Sequence, residues 1–273
     1  MSESHRPFRF GAVLSVRGNA RTWADAAREL EASGYSTVLV PDTLWTPSPF
    51  LALSAVAAAT TTLRLGTWVL TAPLRRPAGV VRETKTLQAL SDGRFELGIG
   101  AGRPGGERDA ESLGVEWGSP KERVDRVEAT IAAVRSEVEP APDIVIAGQG
   151  DRMLRLAGRT AKTLALPTSP AVDAAELGAL VHRVHAVAGT ELELALQITG
   201  VGDEVPGWLR DQAGLTPERL RAAGAVMMMT GDPETDAAAL ERLRADTGVS
   251  YLTVPGEFAK RLAPLVARLA GRT

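Results

Sequence analysis

Residues 144–166, IVIAGQGDRMLRLAGRTAKTLAL, contain a strand, a turn, a helix and a second strand in that order. Ile144 to Ala147 is a short run of apolar, largely β-branched residues. Gly148 to Gly150 is a turn, Asp151 opens a helix, and Thr163 to Leu166 is apolar again. Two strands joined by a helical crossover lie parallel in one sheet. The same alternation extends outward in both directions.

Towards the N-terminus, Phe8 to Val16 reads as strand one, Ser36 to Val40 as strand two, Leu63 to Leu70 as strand three and Phe95 to Gly100 as strand four. Thr22, with Asp25 three residues on, is the expected cap of helix one. Its inner face is Trp23, Ala26, Ala27 and Leu30, and Gly34 supplies a left-handed end. Phe50 to Ala59 and Val80 to Ser91 are helices two and three. Ser119, Pro120 and Glu122 form a capping box for helix four, which runs to about Glu137, and no helical period is expected between strand four and Ser119.

Towards the C-terminus, Asp173 to Val187 is helix six and Glu191 to Thr199 strand seven. Gly200 to Thr230 is an irregular excursion holding one or two helical turns from Thr216 to Ala223. Asp232 and Pro233 start the next helix, with Leu240 and Leu243 facing inward. Tyr251 to Val254 is strand eight, and Phe258, Leu262, Leu265, Val266 and Leu269 stripe the last helix. Eight strand–helix units in 273 residues predict a single closed (β/α)₈ barrel domain, a fold that uses roughly 250 residues. An open doubly wound sheet is the alternative.

Composition narrows the chemistry. The chain has no cysteine, which excludes disulfides, thiolate zinc sites, iron–sulfur clusters and a cysteine nucleophile. A formal charge of −2 and 4% aromatic residues argue against nucleic acid as a partner. The longest uncharged stretch, Thr43 to Leu63, is densely apolar only from Phe50 to Ala59, short of the roughly 20 residues a bilayer needs, so no membrane partner is expected. Met1 to Pro7 is polar and lacks an apolar leader core, and the expectation is a cytoplasmic protein. His182 and His185 share a helix face without a third ligand nearby, which reads as a solvated face, and no metal is expected.

Two glycine clusters stand out. Gly100, Gly102 and Gly105 form a literal GxGxxG, but no helix is expected to follow directly, so the dinucleotide reading fails its context. A barrel loop that lets backbone approach a ligand fits better. Ala147, Gly148, Gln149 and Gly150 lie between a strand and a helix start. Backbone N–H groups there can receive an anion, and an ordinary tight turn explains the same residues equally well.

Five segments in register resemble the bacterial-luciferase-like flavin and deazaflavin oxidoreductases. They are ARELEASGYSTVLVPDTLW (27–45), LRLGTWVLTAPLRRP (63–77), TLQALSDGRFELGIGAG (86–102), residues 144–166 quoted above, and GVSYLTVPGEFAKRLAPLVARLAG (248–271). The last is similar to a compact actinobacterial subgroup assigned to coenzyme F420. The resemblance implies a barrel that holds F420, or FMN, at the C-terminal ends of its strands. It implies a non-proline cis peptide at Trp68–Val69 against the central ring, ring contacts from Asp42, Thr43 and Thr71, a phosphate loop at Ala147 to Gly150, and a second phosphate contact at Thr168 and Ser169.

The chain departs from the family at several points. Many relatives have histidine where this chain has Thr43, leaving Thr43 as the residue at a catalytic position. Some F420 members have a catalytic glutamate where Arg103 stands; Glu107 is the nearest carboxylate, either a substrate-side acid or base or a solvated loop residue. Trp45 either walls the pocket or packs, and Trp68 is large for its position and narrows the space near the ring. Arg103, Arg152 and Arg155 are the cations expected to meet an anionic cofactor tail. The expected activity is F420-dependent hydride transfer with a small organic substrate. The alternatives are an FMN-dependent monooxygenase using reduced flavin and O₂, and a cofactor-binding barrel without catalysis. Further expected partners are a second copy of the chain and a flavin or F420 reductase supplying reduced cofactor.

Overall fold

A computed structural model describes residues 6–273. Met1–His5, on which most of the leader reading rests, lie outside the described residues. The elements in order are β1 (Arg9–Val13), α1 (Ala20–Ala32), β2 (Thr37–Val40), α2 (Pro49–Ala59), β3 (Arg64–Thr67), β4 (Leu70–Thr71), α3 (Pro77–Leu90), β5 (Phe95–Gly100), α4 (Glu107–Leu113) and α5 (Pro120–Glu137). Then follow β6 (Asp143–Ala147), α6 (Asp151–Thr160), β7 (Thr163–Ala165), α7 (Ala174–Ala188), β8 (Glu193–Gln197), β9 (Gly200–Val201), α8 (Gly207–Ala213), α9 (Pro217–Ala222), β10 (Met228–Met229), α10 (Pro233–Thr247), β11 (Val249–Pro255) and α11 (Ala259–Leu269).

The strands pair in parallel around a full circle. β1 lies between β2 and β11, β11 joins β8, and β8 through β5 follow in sequence until β5 returns to β3. The fold is a closed (β/α)₈ barrel with β3 and β4 as two halves of one stave. The break between them falls at Trp68–Val69, a cis peptide, where a continuous strand three was expected.

The stave is repaired across the break by one side chain. Thr67 Oγ1 donates to the Gly98 carbonyl at 2.7 Å and accepts from the Gly98 N–H at 2.9 Å. The hydroxyl thus stands in for ladder bonds until β4 resumes pairing with Ile99 and Gly100.

Local signals place most helix starts as read. Ser119 and Glu122 form the capping box, Asp173 caps α7, Asp232 caps α10, and Gly34 has φ +82°. Helix one differs. Its cap is Asn19, whose side chain accepts from Thr22 N at 3.1 Å, so the helix starts one turn before the expected Thr22. Asn and Thr both cap well, and the earlier one wins because it adds a turn of helix. A helix also fills 107–113, where none was expected: it is seven residues long, too short to show a helical period. The excursion holds α8 besides the expected turns of α9, and a two-stranded parallel pair, β9 with β10.

One surface carboxylate links α1 to the entry of β3. Glu31 Oε1 accepts from Thr61 N, Thr62 N, Thr62 Oγ1 and Leu63 N, all between 2.6 and 2.9 Å. Burial opposes its ionisation, but the donors outweigh burial and draw its pKa down to about 2. A depressed carboxylate stabilises the fold above its ordinary value of 4.5 and loses that contribution as pH falls towards about 2. The urea midpoint is therefore expected to fall more steeply over this acid window in the wild type than in Glu31→Gln. Parallel midpoint curves for the two proteins would refute the assignment.

Candidate functional site

In a parallel barrel all the strands end on one face, and the loops leaving them converge there. A cleft of about 680 Å³ opens on that face between the ends of β2, β3–β4, β5 and β6. Asp42, Thr43, Trp68, Val69 and Thr71 line one side; Ala147, Gly148, Gln149 and Gly150 line the other. The structure thus gathers these nine residues, from three separate stretches of the chain, around one space. Pro167 also lines the cleft, with Thr168 and Ser169 next in the chain but outside the lining. Glu107 is exposed on the first turn of α4 and does not line it.

Asp42 braces the cleft. Its carboxylate accepts from Thr71 N at 3.0 Å and from Arg75 Nε and Nη2 at 2.9 and 2.6 Å. The pair is largely buried, with side chains 10% and 21% exposed. Burial disfavours the Arg75 charge, but the Asp42 carboxylate overrides it and raises the pKa of the guanidinium. The bidentate fork ties the end of β2 to the segment after β4. Arg75 lies within the quoted LRLGTWVLTAPLRRP, yet nothing near it in sequence marks a partner 33 positions away. Thr43 shares a 2.8 Å hydrogen bond with the Thr46 hydroxyl, which fixes its position in the loop after β2.

The cleft floor rests on a column inside the barrel. The Trp68 ring meets Tyr251 edge-on at 6.2 Å, and the Arg9 guanidinium lies 4.2 Å from the Tyr251 ring centroid. Tyr251 is fully buried, and burial pushes its pKa up, so it is a neutral packing element.

The glycine-rich loop after β5 brings Gly100, Ala101 and Gly102 to the cleft lining, and its glycines also admit a neighbouring ring. A Cβ on Gly102 or Gly106 would each come within 2.3 Å of Trp117 Cη2. Arg123 stacks on the other part of this assembly, 4.9 Å from the Trp117 centroid, and donates to Ala101 O and Gly118 O. It lines the cleft and forms no ion pair among the described residues. Of the three cations expected to meet an anion, Arg103 lines the cleft but is itself paired, Arg152 is paired outside the lining, and Arg155 is exposed on α6 outside it. Arg103 bonds Asp109 at 2.8 Å and lies 4.5 Å from the Trp45 centroid, while Arg152 pairs with Asp125 and Glu128. Trp45 is 51% exposed beside Arg103 rather than packed in the core.

Gly150 is the N-cap of α6 and has no side chain to bond the first N–H groups of the helix. Those donors therefore face the cleft side of the turn without a side-chain cap. Asp151 in the first turn is engaged at 2.7 Å by Arg183. An apolar floor, one edge with uncapped backbone donors and a guanidinium without an ion pair suit a flat ring system carrying an anionic tail. His182 and His185 lie on α7, and no cluster of metal-ligating residues occurs among the described residues.

The luciferase-like monooxygenase profile matches residues 6–243. An F420-dependent glucose-6-phosphate dehydrogenase from Beutenbergia cavernae is 37% identical over 115 residues, 39% of this chain and 33% of that protein. The chain spans between 32% and 61% of the length of eight curated relatives that it matches. Among solved structures, an F420-dependent secondary alcohol dehydrogenase superposes with a TM-score of 0.71 at 17% identity, covering 95% of this chain and 98% of that one. An EDTA monooxygenase from Chelativorans sp. BNC1 gives 0.74 at 13% identity, covering 98% and 96%. At these identities the structural likeness carries the fold.

Proposed function

Because the chain belongs to the luciferase-like monooxygenase family, we propose that it is an F420-dependent oxidoreductase acting on a small organic substrate. The observation that carries this reading is the shared cleft, which sets the cis Trp68–Val69 segment opposite the uncapped start of α6. The named F420-dependent relative supports the choice of deazaflavin over flavin. When bound, the deazaflavin supplies the hydride chemistry, and the barrel contributes position and electrostatics.

The chain's own residues divide the remaining work. Val69 and Trp68 form the surface for the ring face. Asp42, held by Arg75 and Thr71 N, keeps the end of β2 fixed against the segment after β4 on one side of the cleft. The N–H groups after Gly150 and the Arg123 guanidinium receive the anionic tail. Thr43 lines the cleft as a hydroxyl where a histidine would titrate, so it can orient a ligand through a hydrogen bond but takes up no proton near neutral pH.

Titration of the purified protein with F420 and FMN in both redox states tests the reading. F420 is expected to bind more tightly than FMN. Copurifying yellow flavin, or oxygen uptake with reduced FMN, would instead place the protein with the FMN monooxygenases. Gly150→Asp separates the anion role of the turn from its structural role. Gly150 has ordinary extended backbone angles, φ −74° and ψ 145°, and a Cβ there meets nothing within 4 Å. Aspartate is a good N-cap, so thermal stability should hold or rise by a few tenths of a kcal/mol. Its carboxylate would occupy the donors an anionic tail needs and repel that tail, so F420 affinity should fall about tenfold or more. Unchanged F420 affinity in the stable variant would remove the turn from the site.

A further inference from the structure

A second cavity, of about 450 Å³, opens on the same face of the barrel at the ends of β1, β8 and β11. Val13, Gln197 and Pro255 form its inner wall, and Trp208 on α8 forms part of its outer wall. Val13 and Trp68 pack on the same interior trio, Leu39, Ala195 and Tyr251, so this cavity adjoins the cleft across that trio.

The two spaces differ in charge. The cleft has Arg103 and Arg123 in its lining, and its one carboxylate, Asp42, is neutralised by Arg75. The second cavity has a single ionisable lining residue, Glu257, with Ser15 and Gln197 as neutral polar members. Glu257 also lines the adjoining hollow with Asp203, Glu204 and Arg210; Asp203 pairs with Arg221 and Glu204 with Arg261, which leaves Glu257 as the carboxylate there without an ion pair among the described residues. Burial is the largest influence on Glu257 and raises its pKa, with Glu204 acting in the same sense, while the Gly207 N–H and Arg210 on α8 oppose them. Trp208 is 48% exposed, a large aromatic face with water on one side and the cavity on the other.

An aromatic face beside a carboxylate is the arrangement that holds an organic cation, through the ring quadrupole and direct charge pairing. We propose that the second cavity is the substrate subsite and that it takes a small apolar molecule bearing a protonated amine, held between Trp208 and Glu257. Gln197 offers the neutral hydrogen-bond partner that fixes orientation, and Val13 and Pro255 accept the apolar body. The word substrate rests on the cofactor reading above, because the cavity gains that meaning from its place beside Trp68. A sugar phosphate would bring negative charge to a cavity that has no cation in its lining, which sets this chain apart from the glucose-6-phosphate dehydrogenase named above.

Calorimetric titration of the full chain with cyclohexylamine, cyclohexanol and cyclohexanecarboxylate near neutral pH tests this directly. The three probes share one ring and differ in charge. The amine is expected to bind about tenfold more tightly than the alcohol, and the carboxylate more weakly than either. Glu257→Gln should erase the preference for amine over alcohol while leaving alcohol binding intact. Trp208→Ala should weaken the amine about tenfold. Both side chains are exposed, so matching circular dichroism and thermal midpoints will show that the variants fold. Carboxylate binding as tight as the amine, amine affinity unchanged in both variants, or no amine binding would each overturn the proposal. F420 titrated into the same samples separates the two claims. F420 binding without amine preference sinks the subsite alone, and amine preference without F420 or FMN binding sinks the cofactor reading alone.

Discussion

Gly98→Ala is expected to destabilise the protein by about 3 kcal/mol or more, the upper end of what overpacking costs. The added Cβ would lie 1.9 Å from the Thr67 carbonyl oxygen and 3.1 Å from Val69 Cγ1. The first contact is with backbone, which has no rotamer to yield. Moving β5 away would stretch both bonds that Thr67 Oγ1 makes to Gly98, the bonds that bridge the gap between β3 and β4. The same displacement would push Val69, so F420 affinity should fall together with the urea midpoint. Gly79→Ala is the control. Gly79 is exposed in the first turn of α3 with nothing within 4 Å of its Cβ position, and alanine is the better helix former, so the variant should be as stable or slightly more so. A Gly98→Ala midpoint equal to that of the control would show that the stave has slack at this position.

The second large effect is expected at the opposite end of the barrel, at Glu96. Glu96 is 1% exposed, and its Oε1 accepts from Arg9 Nη2 at 2.7 Å and from Arg64 Nε. Arg9 also bonds Glu193 at 2.9 Å, and Arg64 bonds Asp143 at 2.8 Å, where Lys162 joins at the same distance. Arg9, Arg64 and Lys162 thus face Glu96, Glu193 and Asp143, three charges of each sign at the N-terminal ends of the strands. Glu96→Ala removes the carboxylate shared by two guanidinium groups and leaves positive charge uncompensated inside the barrel. Breaking such a buried pair costs about 3–5 kcal/mol. Glu96→Gln keeps the shape and one acceptor oxygen, so its loss should be smaller. The cofactor cleft lies at the other end, so F420 affinity measured on the folded fraction should change little in Glu96→Gln. A Glu96→Ala urea midpoint close to wild type would mean that water reaches the cluster and solvates Arg9 and Arg64.

The two ends of the barrel were legible to different degrees. The strands were found because an apolar run bounded by turns is a local signal, and the helices because caps are local hydrogen bonds. Ser119 with Glu122, Asp173 and Asp232 each satisfy an N–H within three residues of themselves. Where local signals compete, the reading slipped by a turn, as at Asn19 and Thr22. Where an element has fewer than two turns, as at 107–113, periodicity has too few residues to register. The turn at Ala147 to Gly150 was visible because glycine between a strand and a helix is itself a local mark.

The sequence by itself determined the alternating strand–helix architecture and the glycine turn ahead of α6, because the interactions that encode them act between near neighbours; closure of the sheet came with the pairing of β1 and β11 across the length of the chain. Only the tertiary structure decided that Arg75 clasps Asp42, that Arg123 is left without a carboxylate, that Trp68 stands on Tyr251 and Arg9, and that six charges balance at the far end. Arg9 and Glu193 are 184 positions apart, and a single residue of slip in any stave would turn one of them out of the barrel. Their meeting depends on the register of the whole closed sheet, which no stretch of sequence carries alone.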